Sequence, residues 1–529
     1  MNYFFILAAI AFVASLHLVY TRIHHARNAR AWRCQPAPFY PSDLLGVNTL
    51  REVLRALKEY ELPRLFQRRY ERMCAHAGRT VDTFCVTQLG RETVFTCDPK
   101  NVQAVLATQF KDFGVGPARQ TSVELFLGHG IFTSDGDEWA HSRALLRPQF
   151  TRDQISDLDL EERHVQLAMR AIAPIDPHTR WSAPVNLQPI FFRLTIDSAT
   201  EFLFGESVHS QSAALAGAGA DAPDARFATL FDRCQWYAAR RVRLERLHWL
   251  ANTREFRDAS AYVRAYVDRF VEAALTTTAT AGGAAEEKGK TSVFLRGLAH
   301  ATQDPVELRS QLLNILLAGR DTTASLLSFA VQQLARHPRV FAKLRRAVLD
   351  TFGPYDDPPA TSITFETLKS CRYLQHFLNE TLRVYPIVPV NRRVALRDTT
   401  LPRGGGDDGT APVYVRRGQV VVYSVFVMQR RRDLWAGEYA AEDFVPERWE
   451  TRRPGWEYLP FNGGPRICIG QQFALVEAAY VLVRLLQRFD GIEGVSPGTR
   501  EGDPEREVKL ASNLTMAPAV EVTVRLREA

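Results

Sequence analysis

Hydrophobic and polar positions divide the chain into a few legible stretches. Residues 3–20 (YFFILAAIAFVASLHLVY) carry no formal charge, and as a helix rising ~1.5 Å per residue they extend ~27 Å, close to the thickness of a bilayer core. One membrane-spanning helix is expected there, slightly weakened by His17. Alternating apolar and polar residues over 80–96, with Gly90 near the turn, predict a small sheet. Residues 312–327 (LLNILLAGRDTTASLL) stay apolar long enough for a helix crossing the interior of a large domain. Most of the remainder reads as helix, so the expected fold class is mainly α with small β-sheets (α+β).

Two stretches break the pattern: 212–226, rich in Ala and Gly, and 276–290 (TTTATAGGAAEEKGK). Their composition cannot bury a core, which predicts surface loops. Arg22, Arg27, Arg30 and Arg33 follow the first apolar stretch rather than precede it. That order argues for a retained anchor over a cleaved signal and puts the bulk of the chain in the cytosol. Pro36, Pro38 and Pro41 then make a stiff connector. The organisation expected is an anchor over 1–21, a basic and proline-rich linker over 22–45, and one catalytic domain over 46–529.

At 529 residues with 46% hydrophobic content, the chain can fill a single large core. The 66 Lys+Arg against 59 Asp+Glu leave a mild +7 that favours acidic partners or anionic membrane surfaces. The basic residues are dispersed rather than set in an aromatic-interleaved stripe, which argues against nucleic acid. Cys34, Cys74, Cys85, Cys97, Cys234, Cys371 and Cys468 form no CxxC pair and no zinc spacing, as suits free thiols in a reducing compartment.

Cys468 stands apart because it lies in FNGGPRICIG (461–470), directly before a helix-forming run that starts at Gln471. A thiol at a helix start meets free N–H groups and the positive end of the dipole, so its pKa is expected to fall and its sulfur to bind a metal. Gly463, Gly464 and Gly470 would let a flat ligand lie against the backbone, and Arg466 could fork onto a carboxylate of that ligand. A buried structural cysteine in a tight turn is the plain alternative.

In the interior helix, Ala318 and Gly319 precede Asp321 and Thr322. The Thr322 hydroxyl, four residues on from Ala318, can bond back to its carbonyl and open the helix locally. Asp321 could then relay protons from solvent and Thr322 hold a water; a glycine packing notch beside a solvated Asp is the competing reading. Glu380 and Arg383 lie at i and i+3 and can pair on one helix face.

The order of Phe461, Gly464, Arg466, Cys468 and Gly470 resembles the cysteine-ligand loop of the cytochrome P-450 family of haem-thiolate monooxygenases. The resemblance runs over nearly the whole chain after the anchor, its motifs in the family's order. It implies haem b (iron protoporphyrin IX) between the long central helix and the loop, with Cys468 as the axial iron ligand. It further implies Trp139, Arg143, Arg393 and Arg466 as donors to the haem propionates, Ala318 and Gly319 as the helix opening, and Asp321 with Thr322 as catalytic residues. Glu380, Arg383 and Arg448 become a buried triad with a structural role. O2 is then the co-substrate, and the chain leaves too little sequence for a fused flavoprotein, so electrons must come from NADPH through a separate reductase, with a cytochrome b-type protein as a further donor. An endoplasmic reticulum membrane location goes with this reading.

The chain looks most like the fungal subgroup that hydroxylates n-alkanes and fatty acids at the chain end. Residues 128–150, 186–207, 318–323 and 399–406 carry that likeness. Gln429 departs from it, standing where the subgroup usually has a histidine beside an arginine; it falls outside the chemical motifs. An end-selective site needs a narrow apolar channel, and candidate walls are residues 113–126, Leu316, Leu317, 387–390 and 514–516. The competing functions are the same chemistry on another apolar substrate (aromatic, polyketide, sterol or xenobiotic) and a non-catalytic haem-binding protein.

Overall fold

The computed structural model describes residues 2–151, 158–172, 174–217, 223–280, 292–355, 363–504 and 507–529. Its helices position the site and are labelled here in chain order: α1 (Asn2–Ala31), α2 (Pro117–Leu127), α3 (Gly136–Leu146), α4 (Leu158–Arg170), α5 (Leu187–Phe204), α6 (Pro223–Leu244), α7 (Pro305–Arg336), α8 (Arg372–Val384) and α9 (Gln471–Arg488). The helix expected around 312–327 is the middle of α7. Asp304 caps it by accepting from the Val306 N–H at 2.8 Å, and Pro305 fits the first turn, where no backbone donor is needed. It stops at His337, the residue before Pro338, where proline disfavours helical backbone.

Both faces of α7 are buried for most of its length. One hydrophobic core joins it to α4, α8 and α9, and a second joins it to α2, α5 and α6. α7 is therefore the axis about which the helical part is built.

The expected hairpin over 80–96 is present as β1 (Thr83–Gln88) and β2 (Arg91–Thr96), turned by Leu89 and Gly90 at φ 49° and 72°. Positive φ at both turn positions matches the twist of the strands they connect. With β3 (Phe113–Gly114), β4 (Val390–Ala395) and β7 (Val420–Ser424) they form one sheet in the order β1-β2-β7-β4-β3, over a third core. β5 (Thr399–Gly405) and β6 (Ala411–Val415) pair separately as an antiparallel hairpin.

α1 runs past the apolar stretch through Arg22, Arg27 and Arg30 to Ala31. Among the described residues no helix is long and apolar enough to cross a membrane; several side chains of residues 4–14 lie outside the description. Tyr3, Phe5, Phe12, Val13 and Leu16 of α1 are exposed.

The loops expected over 212–226 and 276–290 are partly helix. Residues 210–215 and those from Pro223 onward are helical, and residues 276–280 finish the helix Arg254–Thr280. Alanine's helix propensity prevails at these ends. Residues 218–222 and 281–291 lie outside the described residues.

Candidate functional site

The segment before α9 closes on itself. The Cys468 N–H donates to the Phe461 carbonyl at 3.0 Å, the Ile467 N–H to the Gly464 carbonyl at 3.0 Å, and Asn462 holds a left-handed φ of 63°. Tyr423 of β7 donates its hydroxyl to the Asn462 side chain at 3.0 Å, fastening this loop to the sheet. The loop then enters α9 at Gly470, whose N-terminal turn has no side-chain cap.

The thiol pKa departs from expectation. Burial pushes Cys468 up, and that outweighs the Gly470 N–H and the Arg143 charge, both of which pull it down. Cys468 nonetheless has accessible surface. Desolvation of the sulfur there overrides the helix end. Among the described residues, no other cysteine is exposed.

The glycines of the loop also lie close to neighbouring segments, and Gly464 takes the positive φ expected of it. A Cβ on Gly464, at φ 66°, would run into the Leu106 carbonyl of the π-helix Ala104–Thr108. One on Gly463 would come within 2.8 Å of the Trp456 ring, whereas one on Gly470 would meet only Phe150 at an ordinary 3.6 Å. Gly463 and Gly464 thus serve close packing of the loop against its neighbours.

Sequence-predicted arginines converge beside this loop. Arg466 pairs with Asp135 at 2.7 Å and donates to the Ser134 carbonyl at 2.9 Å, while its guanidinium stacks over the Trp139 ring of α3 at 4.5 Å. Arg393 of β4 is buried and donates to the Arg392 carbonyl at 2.8 Å. Arg143 donates to the Ile467 carbonyl at 3.0 Å, next to the cysteine. Sequence reasoning missed Arg119 of α2, which lies close enough to Arg393 and Arg466 to feel their charges; nothing in the local sequence marked it. Burial and mutual repulsion lower both Arg119 and Arg466 to about 10.

Asp135 is the carboxylate paired with Arg466, and the Nε of Arg466 is buried without a partner. Surplus positive charge and an unmet donor suit a bound group carrying two carboxylates. The residues therefore fit the haem that the resemblance implies.

Along α7, residues 310–316 and 323–335 are buried, but Leu317, Ala318, Gly319, Asp321 and Thr322 keep accessible surface. The expected back-bond is present: the Thr322 hydroxyl donates to the Ala318 carbonyl at 2.7 Å. It leaves α7 α-helical throughout rather than opening it. Gly319 faces α5, where a Cβ would sit 3.7 Å from the Ala199 side chain. Asp321 is held at 3.0 Å by Arg320, which also grips Asp232 of α6 through both guanidinium nitrogens. The acid thus has an ion-pair partner rather than solvent alone.

The walls expected of an apolar channel are only partly assembled. Leu317 and Leu514 pack against the core that holds Phe126 and Leu316, and the Met516 N–H donates to the Ile387 carbonyl at 2.8 Å, joining two of the predicted segments. Phe113 lies in the sheet core instead, because β3 pairs with β4.

Glu380 and Arg383 are fully buried and meet at 2.8 Å. Arg383 makes two bonds to Glu380 and one each to the carbonyls of Gln429, Ala441 and Asp443. Arg448 approaches Glu380 at 3.5 Å and donates to the Trp435 and Ala440 carbonyls, and the Trp449 indole donates to Glu380 at 2.9 Å. Gln429 belongs to this network: its amide donates to the Leu382 and Arg383 carbonyls at 3.0 Å each and accepts from the Leu459 N–H at 2.9 Å. It ties the end of α8 to the chain two residues before the cysteine loop, a role its place outside the motifs had hidden.

Glu477 of α9 was also missed, being one of several polar residues on that helix. It is fully enclosed, accepts from the Ser198 hydroxyl at 2.6 Å, and has the Thr323 hydroxyl as a second neighbour that favours the charged form. Burial raises its pKa from 4.5 to about 7. The folded state therefore holds this proton more tightly than the unfolded chain, and stability falls as pH rises from 4.5 to 7. Such a shift corresponds to about 3 kcal/mol. In urea unfolding, Glu477→Gln should match the native chain at pH 4.5 and exceed it by about 3 kcal/mol at pH 8; equal stability at pH 8 would show that the carboxyl ionises without cost.

Comparison with known proteins agrees with this geometry. The sequence model of the family described as Cytochrome P450 matches residues 57–513. A cytochrome P450 monooxygenase g430 of Fusarium sp is 45% identical over 98% of this chain and 90% of its own length. Cytochrome P450 52A3-A of Candida maltosa is 46% identical over 87% of each chain, and cytochrome P450 52A1 of Candida tropicalis 48% identical over 81% of this chain and 77% of its own. With its single exposed thiol beside an arginine cluster of surplus charge, the chain belongs to the cytochrome P450 family and is a monooxygenase, an oxidoreductase of the haem-thiolate class.

Proposed function

We propose that this chain is a membrane-bound monooxygenase placing one oxygen atom from O2 at the terminal carbon of n-alkanes or fatty acids. The observation that carries the site is one accessible, desolvated thiol in the same neighbourhood as three arginines with surplus charge. The likeness to the fungal subgroup and the apolar side chains of Phe126, Leu316, Leu317 and Leu514 support the substrate class.

Haem b, when bound, supplies the iron centre for O2 chemistry, with electrons from NADPH through a separate reductase. Cys468 would hold the iron, and Arg119, Arg393 and Arg466 would bind the two carboxylates, with Trp139 backing Arg466 and Arg143 bracing the loop at Ile467. Thr322, its hydroxyl directed to Ala318, keeps its oxygen lone pairs for a water at the notch. Asp321 carries protons to that water, and Arg320 sets its orientation. The exposed apolar residues of α1, followed by Arg22, Arg27 and Arg30, support an anchor in the endoplasmic reticulum membrane with the catalytic domain on the cytosolic side.

Turnover with reductase and NADPH on dodecane, lauric acid and oleic acid tests the substrate, with product positions read by mass spectrometry. Oxidation at the terminal carbon is expected. Product only at inner carbons, or none from any of the three, overturns the chain-end reading in favour of another apolar substrate.

A further inference from the structure

α1 leaves its apolar stretch and lies against the β5–β6 hairpin. There the Tyr414 hydroxyl donates to Asp398 at 2.5 Å, Trp32 packs its ring 5.5 Å from that of Tyr414, and the Arg417 N–H donates to the other Asp398 oxygen at 2.8 Å. His24 and His25 of α1 reach the same place. A ligand atom from each of His24, His25 and Asp398 lies within 4.8 Å of the other two, the one such trio among the described residues. His25 Nδ1 is 3.7 Å from the Asp398 carboxylate.

At present the Asn28 amide nitrogen fills the centre of this group. It sits 3.1 Å from His24 Nε2, 3.4 Å from Asp398 Oδ2 and 3.3 Å from the Tyr414 hydroxyl. An amide has two hydrogens and so bonds at most two of these three groups at once, while Tyr414 also meets His25 Nδ1 at 3.1 Å. A divalent ion has no such limit. We propose that His24, His25 and Asp398 form a site for a divalent transition ion of the zinc class, reached when the Asn28 side chain swings aside.

Two imidazoles and a carboxylate are a zinc donor set, and water completes the tetrahedron. The hydrogen bonds from Tyr414 and Arg417 hold the carboxylate in place, as outer partners of metal ligands do. Arg416, a neighbouring cation, is already paired with Glu92 at 2.5 Å. The ligands come from segments more than 370 residues apart, so the ion would staple α1 to the hairpin and fix the helix's angle to the catalytic domain.

The test uses the full-length, haem-loaded protein in detergent, stripped with EDTA and dialysed against zinc chloride. Bound zinc is read by elemental analysis. The native chain should take up one equivalent that His24→Ala and Asp398→Asn lose or bind about tenfold or more weakly. Asn28→Ala should bind more tightly than the native chain, because the competing amide is gone. His24 is exposed, so its variant should keep native haem content and decide the matter should Asp398→Asn misfold. Equal zinc uptake by the native and His24→Ala chains, or weaker uptake by Asn28→Ala, overturns the proposal.

Discussion

Cys468→Ala is expected to abolish turnover and to erase the thiolate-type Soret band of the reduced protein under CO. The other six cysteines are buried or half-buried, so no second exposed thiol can substitute. The fold itself should survive, because the bonds that close the loop run through the Cys468 backbone N–H and the Phe461 carbonyl, and both outlast the substitution. Circular dichroism should therefore match the native chain while the CO spectrum does not. A retained thiolate-type band would falsify the ligand assignment, and lost helicity would show that the sulfur also supports the fold.

Arg383 is expected to be as indispensable, for a different reason. A guanidinium offers five N–H donors, and Arg383 makes five hydrogen bonds, two of them to a carboxylate that is itself fully buried. Arg383→Ala leaves Glu380 buried with two neutral donors, the Trp449 indole and the Val445 N–H, and with Arg448 as its charged partner, at the longer distance of 3.5 Å. Breaking such a pair costs about 3–5 kcal/mol. Arg383→Lys should do little better, since an ammonium has three donors and no fork. Chemical unfolding of both variants, with the yield of haem-loaded protein, checks this. A lysine variant of native stability would mean that the charge matters and the fork does not.

These two residues were legible in the sequence because their partners are local in spacing or fixed by short motifs. Cys468 is set by FNGGPRICIG and Arg383 by its i, i+3 relation to Glu380; Trp139, Arg143 and the Thr322–Ala318 bond follow helical period in the same way. What stayed hidden depends on contacts across hundreds of residues. Arg119 matters only because α2 brings it to Arg393 and Arg466, and Gln429 only because its amide reaches from Leu382 to Leu459. Glu477 reads as an ordinary polar position until Ser198 and the surrounding core enclose it. The thiol pKa failed in the other direction: a local rule about helix ends was sound, but desolvation is a property of the whole fold.

The close approach of Gly464 to the Leu106 carbonyl has a bearing on protein engineering. The cysteine loop is shaped by a neighbour that lies some 360 residues earlier in the chain, the π-helix at 104–108. Grafted alone onto a new scaffold, the ten-residue loop would bring its sulfur but not the surface that sets its curvature. The transplantable unit is the pair, and a designer who borrows one half must rebuild the other.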